Sequence, residues 1–332
     1  MKIRHLLSLY KNKNGSAFLY VILILMLLSS ITLAFLSDTL HYIKYASNYK
    51  YKNKSYYIAK SGIKLAAYFI SEYGSNPVTY QELLNKTSIY KYGFPILGGY
   101  MKLNIVSNDS KFNINQLIFS DNEVNKTEYA ELQRLFNILG ISSNILQNIV
   151  YFMQKHQLNY KQLELKFNST KKGFIHKEYL STISTNPDIS VLLNTEYKNT
   201  FLNIRDLMLV RNMKYKYYYI LKHFLTCDSS GLININTASY QTIESLSPMI
   251  SKSSAQELVE YRAVNPLASL AAIANVPGFN SSILESIVNQ VEITSNFYLI
   301  KSYGGYKSGS IHIKSLYYIN NMTKYKIREF IS

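Results

Sequence analysis

The chain has one cysteine, Cys227, and no tryptophan in 332 residues. A single thiol excludes an intramolecular disulfide and the C-x-x-C spacings of zinc and redox sites, so the fold must rest on packing or on an oxygen-ligated metal. The histidines, His5, His41, His156, His176, His223 and His312, fall at no metalloprotease spacing. No nucleophile elbow, P-loop or dinucleotide fingerprint occurs either. Nothing in the sequence points to catalysis. Acidic residues are scarce as well: 20 Asp and Glu against 36 Lys and Arg give a net charge of +16 at pH 7. Such a balance suits nucleic acid, anionic lipid or an acidic partner. The lysines are scattered, however, within a composition rich in Lys, Asn, Ile and Tyr, which reads as coding bias. The length suggests two domains.

What is present begins at the N-terminus. Lys2, Arg4, Lys11 and Lys13, with no acidic residue among them, lead to Gly15 and then to an uncharged apolar run from Ser16 to Leu36. At about 1.5 Å per residue that run spans a hydrocarbon core of roughly 30 Å. The basic leader predicts a cytoplasmic N-terminus, with everything after Leu36 facing outward. The run is longer than a secretory h-region and carries no small-residue cleavage site at its end. An ordinary signal anchor is one reading. A leader clipped after Gly15, leaving Ser16 as the new N-terminus and retaining the apolar stem Ala17-Phe18-Leu19-Tyr20 onward, is the better one.

The helical pattern continues beyond the apolar run. Tyr42, Tyr45, Tyr49, Tyr56, Ala59, Ile63, Ala66 and Ile70 keep a spacing of three to four, and Gly74, Ser75 and Pro77 end it. This predicts one helix of about 55 residues, roughly 80 Å long, whose last third packs on a globular head. A linker or coiled-coil helix fits the stripe equally. The segments 100–106 and 111–115 alternate with period two and read as strands. Residues 122–223 read as mostly helical, with a break at Gly140 and Ser142 and a poorly periodic stretch over 159–198. Asn203 to Leu221 reads as helix. Within 231–293, Asn234, Asn236 and Thr237 are candidate caps for a helix starting near Ala238. Turns at Ser247-Pro248-Met249-Ile250 and Val276-Pro277-Gly278-Phe279 complete two helix-hairpin-helix units. Two strands, 297–301 and 310–319, follow, joined by the loop 303–309.

The expected fold is therefore α+β: a long N-terminal helix and a small antiparallel sheet, with a large all-helical domain inserted between its strands. The expected divisions are a leader 1–15, a stem 16–36 and a helix continuation 37–74. A sheet domain from 75–120 and 295–332 then carries an inserted domain 121–294, with the helix-hairpin-helix units at 231–293. Insertion at a surface loop is tolerated where its ends lie close together.

The junction at Gly15 resembles the class III signal of type IV pilins and pseudopilins, which prepilin peptidase cuts after a glycine. Tyr20 stands at the fifth mature position, where most such proteins carry glutamate and the K pseudopilins do not. The ordered motifs Phe112-Asn113-Ile114-Asn115-Gln116-Leu117, Arg205 to Met213, Asn234-Ile235-Asn236-Thr237-Ala238 with Ile243 and Leu246, and Ser295-Asn296-Phe297-Tyr298 are similar to those of the minor pseudopilin K family of type II secretion (general secretion pathway protein K). The resemblance spans nearly the whole chain. It implies a non-enzymatic subunit of the bacterial inner membrane, single-pass, with its main domain in the periplasm. It further implies cleavage and methylation at Ser16, and a cap at the tip of the fibre assembled with minor pseudopilins I and J and other pseudopilins.

Calcium binding is associated with the family's inserted domain. Here one acidic position reads Tyr151-Phe152-Met153-Gln154-Lys155, without a carboxylate, and the other leaves only Glu178 as a candidate ligand, beside lysines. Calcium wants six to eight oxygens, several of them anionic. Two rival readings remain. One is a membrane-anchored helix-hairpin-helix protein that binds or takes up DNA. The other is a minor pilin at the tip of a type IV pilus. Against the first, only Pro277-Gly278 keeps a hairpin glycine, and Val264 to Gly278 contains no lysine or arginine, whereas counterion release needs clustered cations.

Overall fold

The structure is a computed structural model that describes residues 13–79, 93–156, 197–198, 200–320 and 323–331. Helix α1, Lys13–Tyr73, runs unbroken for 61 residues, about 90 Å at helical rise. No proline precedes Pro77, so its hydrogen-bond ladder is not interrupted. It stops where the Gly74 N–H closes on Ile70 O at 2.7 Å. The chain then continues as strands β1 (Phe94–Ile96), β2 (Gly99–Ser107) and β3 (Phe112–Asn113), and helices α2 (Lys126–Ile138) and α3 (Ser143–Lys155). Helix α4 (Tyr215–Leu221), strands β4 (Leu225–Thr226) and β5 (Ile233–Asn234), and helices α5 (Tyr240–Leu246), α6 (Lys252–Val264) and α7 (Ser281–Ile287) follow. Strands β6 (Val291–Glu292), β7 (Phe297–Tyr306), β8 (Gly309–Asn320) and β9 (Thr323–Ile331) complete the described elements.

Strands β1, β2, β7, β8 and β9 form an antiparallel sheet in that order. The register Leu103↔Ser302↔Ile313 puts Met101, Leu103, Ile105, Ile300 and Ile313 on one face. That face meets Ile58, Ala59, Ile63, Ala66, Ala67 and Ile70 of α1, and the two sets make one buried core. Each fully buried isoleucine there contributes about 1.5–3 kcal/mol over an exposed one. The helix lies very close to the sheet. A Cβ on Gly304 would stand 2.1 Å from Ser55 O and 2.6 Å from Ala59 N, and one on Gly62 would stand 2.4 Å from Met101 Sδ.

That proximity corrects the expected loop at 303–309. Tyr303 to Tyr306 belongs to β7, Gly304 marks the helix–sheet contact and Gly305 faces the Tyr100 ring; only Lys307 and Ser308 turn the chain. The α1 stripe also divides. Ala59, Ile63, Ala66 and Ile70 are buried, whereas Tyr42, Tyr45 and Tyr49 stand exposed below the head.

The second core lies in the helical block between β2 and β7, and includes Leu132, Leu135, Phe136, Ile149, Leu207, Ile243, Leu258 and Ile287. Phe112, Ile114 and Leu117 are part of it. Segment 111–115 is therefore not a strand of the sheet: β3 pairs in parallel with β4, and Ile114–Leu117 is a 3₁₀ turn capped by Asn113. The block begins near residue 108, earlier than the expected 121, because the apolar side chains of that segment pack inward among helices. The expected helix 203–221 is broken as well. A 3₁₀ turn, Ile204–Leu209, ends before Asn212 takes φ 63°, and α4 starts only at Tyr215. The stretch around Leu270 and Ile273 is likewise 3₁₀, Leu270–Asn275. The stretch 159–196 lies outside the described residues.

Candidate functional site

The predicted site residues fall in two regions, the stem and the head it supports. Gly15 and Ser16 lie within α1. From Ala17 onward the stem projects freely; Phe18, Leu19, Tyr20 and Leu36 are exposed, and nothing in the most apolar window is buried against the rest of the chain. Two of its hydroxyls are satisfied within the helix. Ser30 Oγ donates to Leu27 O and Thr32 Oγ1 to Leu28 O, each at 2.8 Å. In hydrocarbon that matters, since an unpaired hydroxyl there has no water to turn to.

In the helix-hairpin-helix block the predicted residues act as ties. Ser239, not Asn234, Asn236 or Thr237, caps α5, its Oγ accepting the Thr242 N–H at 3.2 Å. Asn234 Oδ1 instead accepts the Asn236 N–H, and Asn234 Nδ2 donates to Ser295 Oγ at 2.6 Å. Asn236 Nδ2 donates to Leu267 O and Ile293 O. Thr237 Oγ1 donates to Asn234 O at 3.4 Å. With β5 paired in parallel to β6, this run closes the end of the block onto its beginning. Pro277 and Gly278 form the second hairpin. Gly278 takes φ 81°, and a Cβ there would lie 2.6 Å from Ser254 Oγ on α6, so the hairpin packs closely on its neighbour. Arg262, the nearest cation, is buried and donates to Ile235 O and Ala238 O. Burial holds its guanidinium down to about 10.

Where the block joins the sheet, Asp109 is fully buried and sequence reading had not singled it out. Its carboxylate accepts the N–H groups of Ser230, Asn296 and Phe297, each at 2.8 Å, and the Ser230 hydroxyl at 3.2 Å. It thereby clamps both crossings between the two cores. Burial nevertheless pushes Asp109 up to about 6. Burial and the Asp109 charge push neighbouring Glu292 up to about 8. A second clamp comes from β9, where Arg328 pairs with Asp228 and donates to Leu202 O. No sequence signal marked either one: each joins residues roughly a hundred or more positions apart, without a motif.

The candidate calcium ligand Glu178 lies outside the described residues. Among the described residues no three His, Cys, Asp or Glu side chains group to hold a metal. The described residues at the other acidic position do not fit calcium. Lys198 Nζ donates there to Gln154 O at 2.8 Å and to Asn122 Oδ1 at 2.7 Å, so an ammonium sits among the oxygens. On α2, Glu128 and Glu131 are buried, each with one carboxyl oxygen lacking a partner.

The helix-hairpin-helix motif family matches residues 228–292. A chain in the crystal structure of the GspK-GspI-GspJ complex from the enterotoxigenic Escherichia coli type 2 secretion system superposes with a TM-score of 0.55. It is 14% identical, and the match covers 89% of this chain and 99% of that one. The fold is GspK-like. No curated protein matches the chain in sequence. The GspK-like fold accounts for the long helix, the small sheet and the helical block, and the helix-hairpin-helix match falls on the part of the block closed by Asn234 and Asn236.

Proposed function

We propose that the chain is a minor pseudopilin of the K type, which caps the tip of a type II secretion pseudopilus together with minor pseudopilins I and J. The observation that carries this reading is one arrangement. An uncovered apolar stem continues as the helix under a small sheet, and a bulky helical block is inserted between β2 and β7. Its role is assembly, not catalysis. Prepilin peptidase would cut between Gly15 and Ser16, and the new amine would be methylated. The stem would anchor the chain once across the inner membrane, with the head in the periplasm. Tyr20 supplies no carboxylate to attract the amine of a subunit above, which suits a subunit at the end of a fibre. The helical block would hinder further addition in the same direction.

The DNA-binding alternative is disfavoured by charge. Residues 228–292 hold only Lys252 and Arg262 as cations, against Asp228, Glu244, Glu257, Glu260, Glu285 and Glu292, and Arg262 is spent on carbonyls inside the fold. A type IV pilus tip protein shares the same stem; the inserted block favours the secretion reading. The test is co-expression with the I- and J-type minor pseudopilins of the same organism, followed by purification through a tag on this chain. A stoichiometric three-subunit complex supports the reading. Recovery of this chain alone contradicts it.

A further inference from the structure

Four of the lysines that the sequence scatters are brought near one another by the fold. Lys301 and Lys314 stand directly opposite each other on β7 and β8. They lie on the sheet face turned away from α1, since their neighbours Ile300 and Ile313 belong to the core beneath. Lys111, from the turn between β2 and β3, donates Nζ to Lys222 O at 3.1 Å, and lies close enough to Lys301 to feel its charge. Lys222 is the C-cap of α4, and His223 follows it.

These groups feel one another. Burial and the charges of Lys301 and Lys222 bring Lys111 down to about 8. Burial and the charge of Lys314 lower Lys301. Burial, then Lys222, Lys111 and Lys301, lower His223. Among the described residues none of the five forms an ion pair, and no carboxylate contributes to these three shifts. Like charges directly opposite on neighbouring strands are destabilising. A convergence of cations from four separate elements, with no counter-charge among the described residues beyond the Tyr219 ring under Lys222, is electrostatically complementary to an anion.

We propose that this junction between the sheet and the helical block binds a phosphate-type oxyanion. The chemistry of the donors selects the class. Arginine forks match carboxylates and phosphates in a directional, bidentate fashion, and the cluster contains none. Lysine ammoniums act as rotatable point charges, which suit a compact, multiply charged tetrahedral anion approached from several sides. Free inorganic phosphate and the phosphate of a phospholipid headgroup share that chemistry.

The experiment uses the full chain in an uncharged detergent at about pH 7, comparing thermal unfolding in phosphate and in chloride at matched ionic strength. About 20 mM phosphate is expected to raise Tm by roughly 3 °C or more, for binding in the millimolar range. The variant Lys301→Gln/Lys314→Gln changes side chains on the outer face only. It should lose that shift and unfold at a higher temperature than wild type in chloride, because the repulsion is relieved. A second arm replaces phosphate by short-chain phosphatidylglycerol at the same phosphate concentration. A shift with inorganic phosphate assigns a free anion; a shift with the lipid alone assigns a headgroup. Equal Tm in phosphate and chloride with no response to the lipid, or the same shift in wild type and double variant, overturns the proposal.

Discussion

Asn236 and Leu267 exchange two hydrogen bonds across the helix-hairpin-helix block. The Leu267 N–H donates to Asn236 Oδ1 and Asn236 Nδ2 donates to Leu267 O, both at 2.9 Å. The amide of Asn236 also reaches Ile293 O at 3.0 Å, so one side chain joins the start, middle and end of the block. Asn236→Ala leaves a buried N–H and two carbonyls without this partner and should cost about 3 kcal/mol. Asn236→Asp should also destabilise, since a carboxylate cannot donate to either carbonyl. Urea unfolding of the full chain in mild detergent reads both. A midpoint unchanged in both variants would remove Asn236 from the account.

Glu128 and Glu131 make stability depend on pH. Burial and then the Glu131 charge raise Glu128 well above the ordinary range, and burial pushes Glu131 up to about 8. Their folded values lie above the unfolded ones, so between about pH 4.5 and 8 the folded state holds more protons. Stability from these groups is therefore present below the unfolded value and lost as pH rises through the folded one. His223, lowered chiefly by burial, works in the opposite direction near its ordinary value. Thermal unfolding should give a lower Tm at pH 8 than at pH 5.5. Glu131→Gln should flatten that slope; a slope unchanged in the variant would assign the pH dependence to other groups.

The approach of α1 to β7 leaves no room for a side chain at Gly304. Gly304→Ala would place a methyl group 2.1 Å from Ser55 O and 2.6 Å from Ala59 N, both backbone atoms. The helix must move off the sheet to accept it, at a cost of about 2–3 kcal/mol. Thermal denaturation of the variant should show a clear loss, and Gly304→Val a larger one. Wild-type Tm in the alanine variant would mean that the contact is looser than described.

Lys198 provides a check on metal dependence. Its ammonium already bonds Gln154 O and Asn122 Oδ1 and so bridges α3 and the loop before α2. Lys198→Met should lower stability by about 1–2 kcal/mol through the two lost charge-assisted bonds. Calcium or a chelator should leave the wild-type Tm unchanged. A rise of several degrees with calcium would place a metal elsewhere in the block and overturn this prediction.

The sequence exposed those parts of the fold that repeat locally. The stem, the helix end at Gly74 and the break between α2 and α3 all follow from apolar spacing and from capping or breaking residues. Period-two alternation found β2, the first half of β7 and nearly all of β8. It missed β9, Thr323–Ile331, although Lys324-Tyr325-Lys326-Ile327-Arg328 alternates; Glu329 breaks the phase, and the charges suit a strand at the sheet's edge. The same alternation in Phe112-Asn113-Ile114-Asn115 misled, because a 3₁₀ turn buried on several sides also shows apolar residues two apart. Asn234 and Asn236 stood out as candidate caps; that they tie distant carbonyls and Ser295 instead depends on partners supplied by the folded chain. Asp109 and the cluster of Lys111, Lys222, Lys301 and Lys314 were invisible for the same reason. Their meaning lies in neighbours that only the folded chain brings together.

The central claim is that this chain is processed and assembled as a pseudopilin. The most direct test is intact mass and N-terminal sequencing after co-expression with a prepilin peptidase, wild type beside Gly15→Ala. The account predicts a mature chain beginning at Ser16, with a methylated amine, and its loss in the variant. A wild-type chain that still begins at Met1 would contradict it.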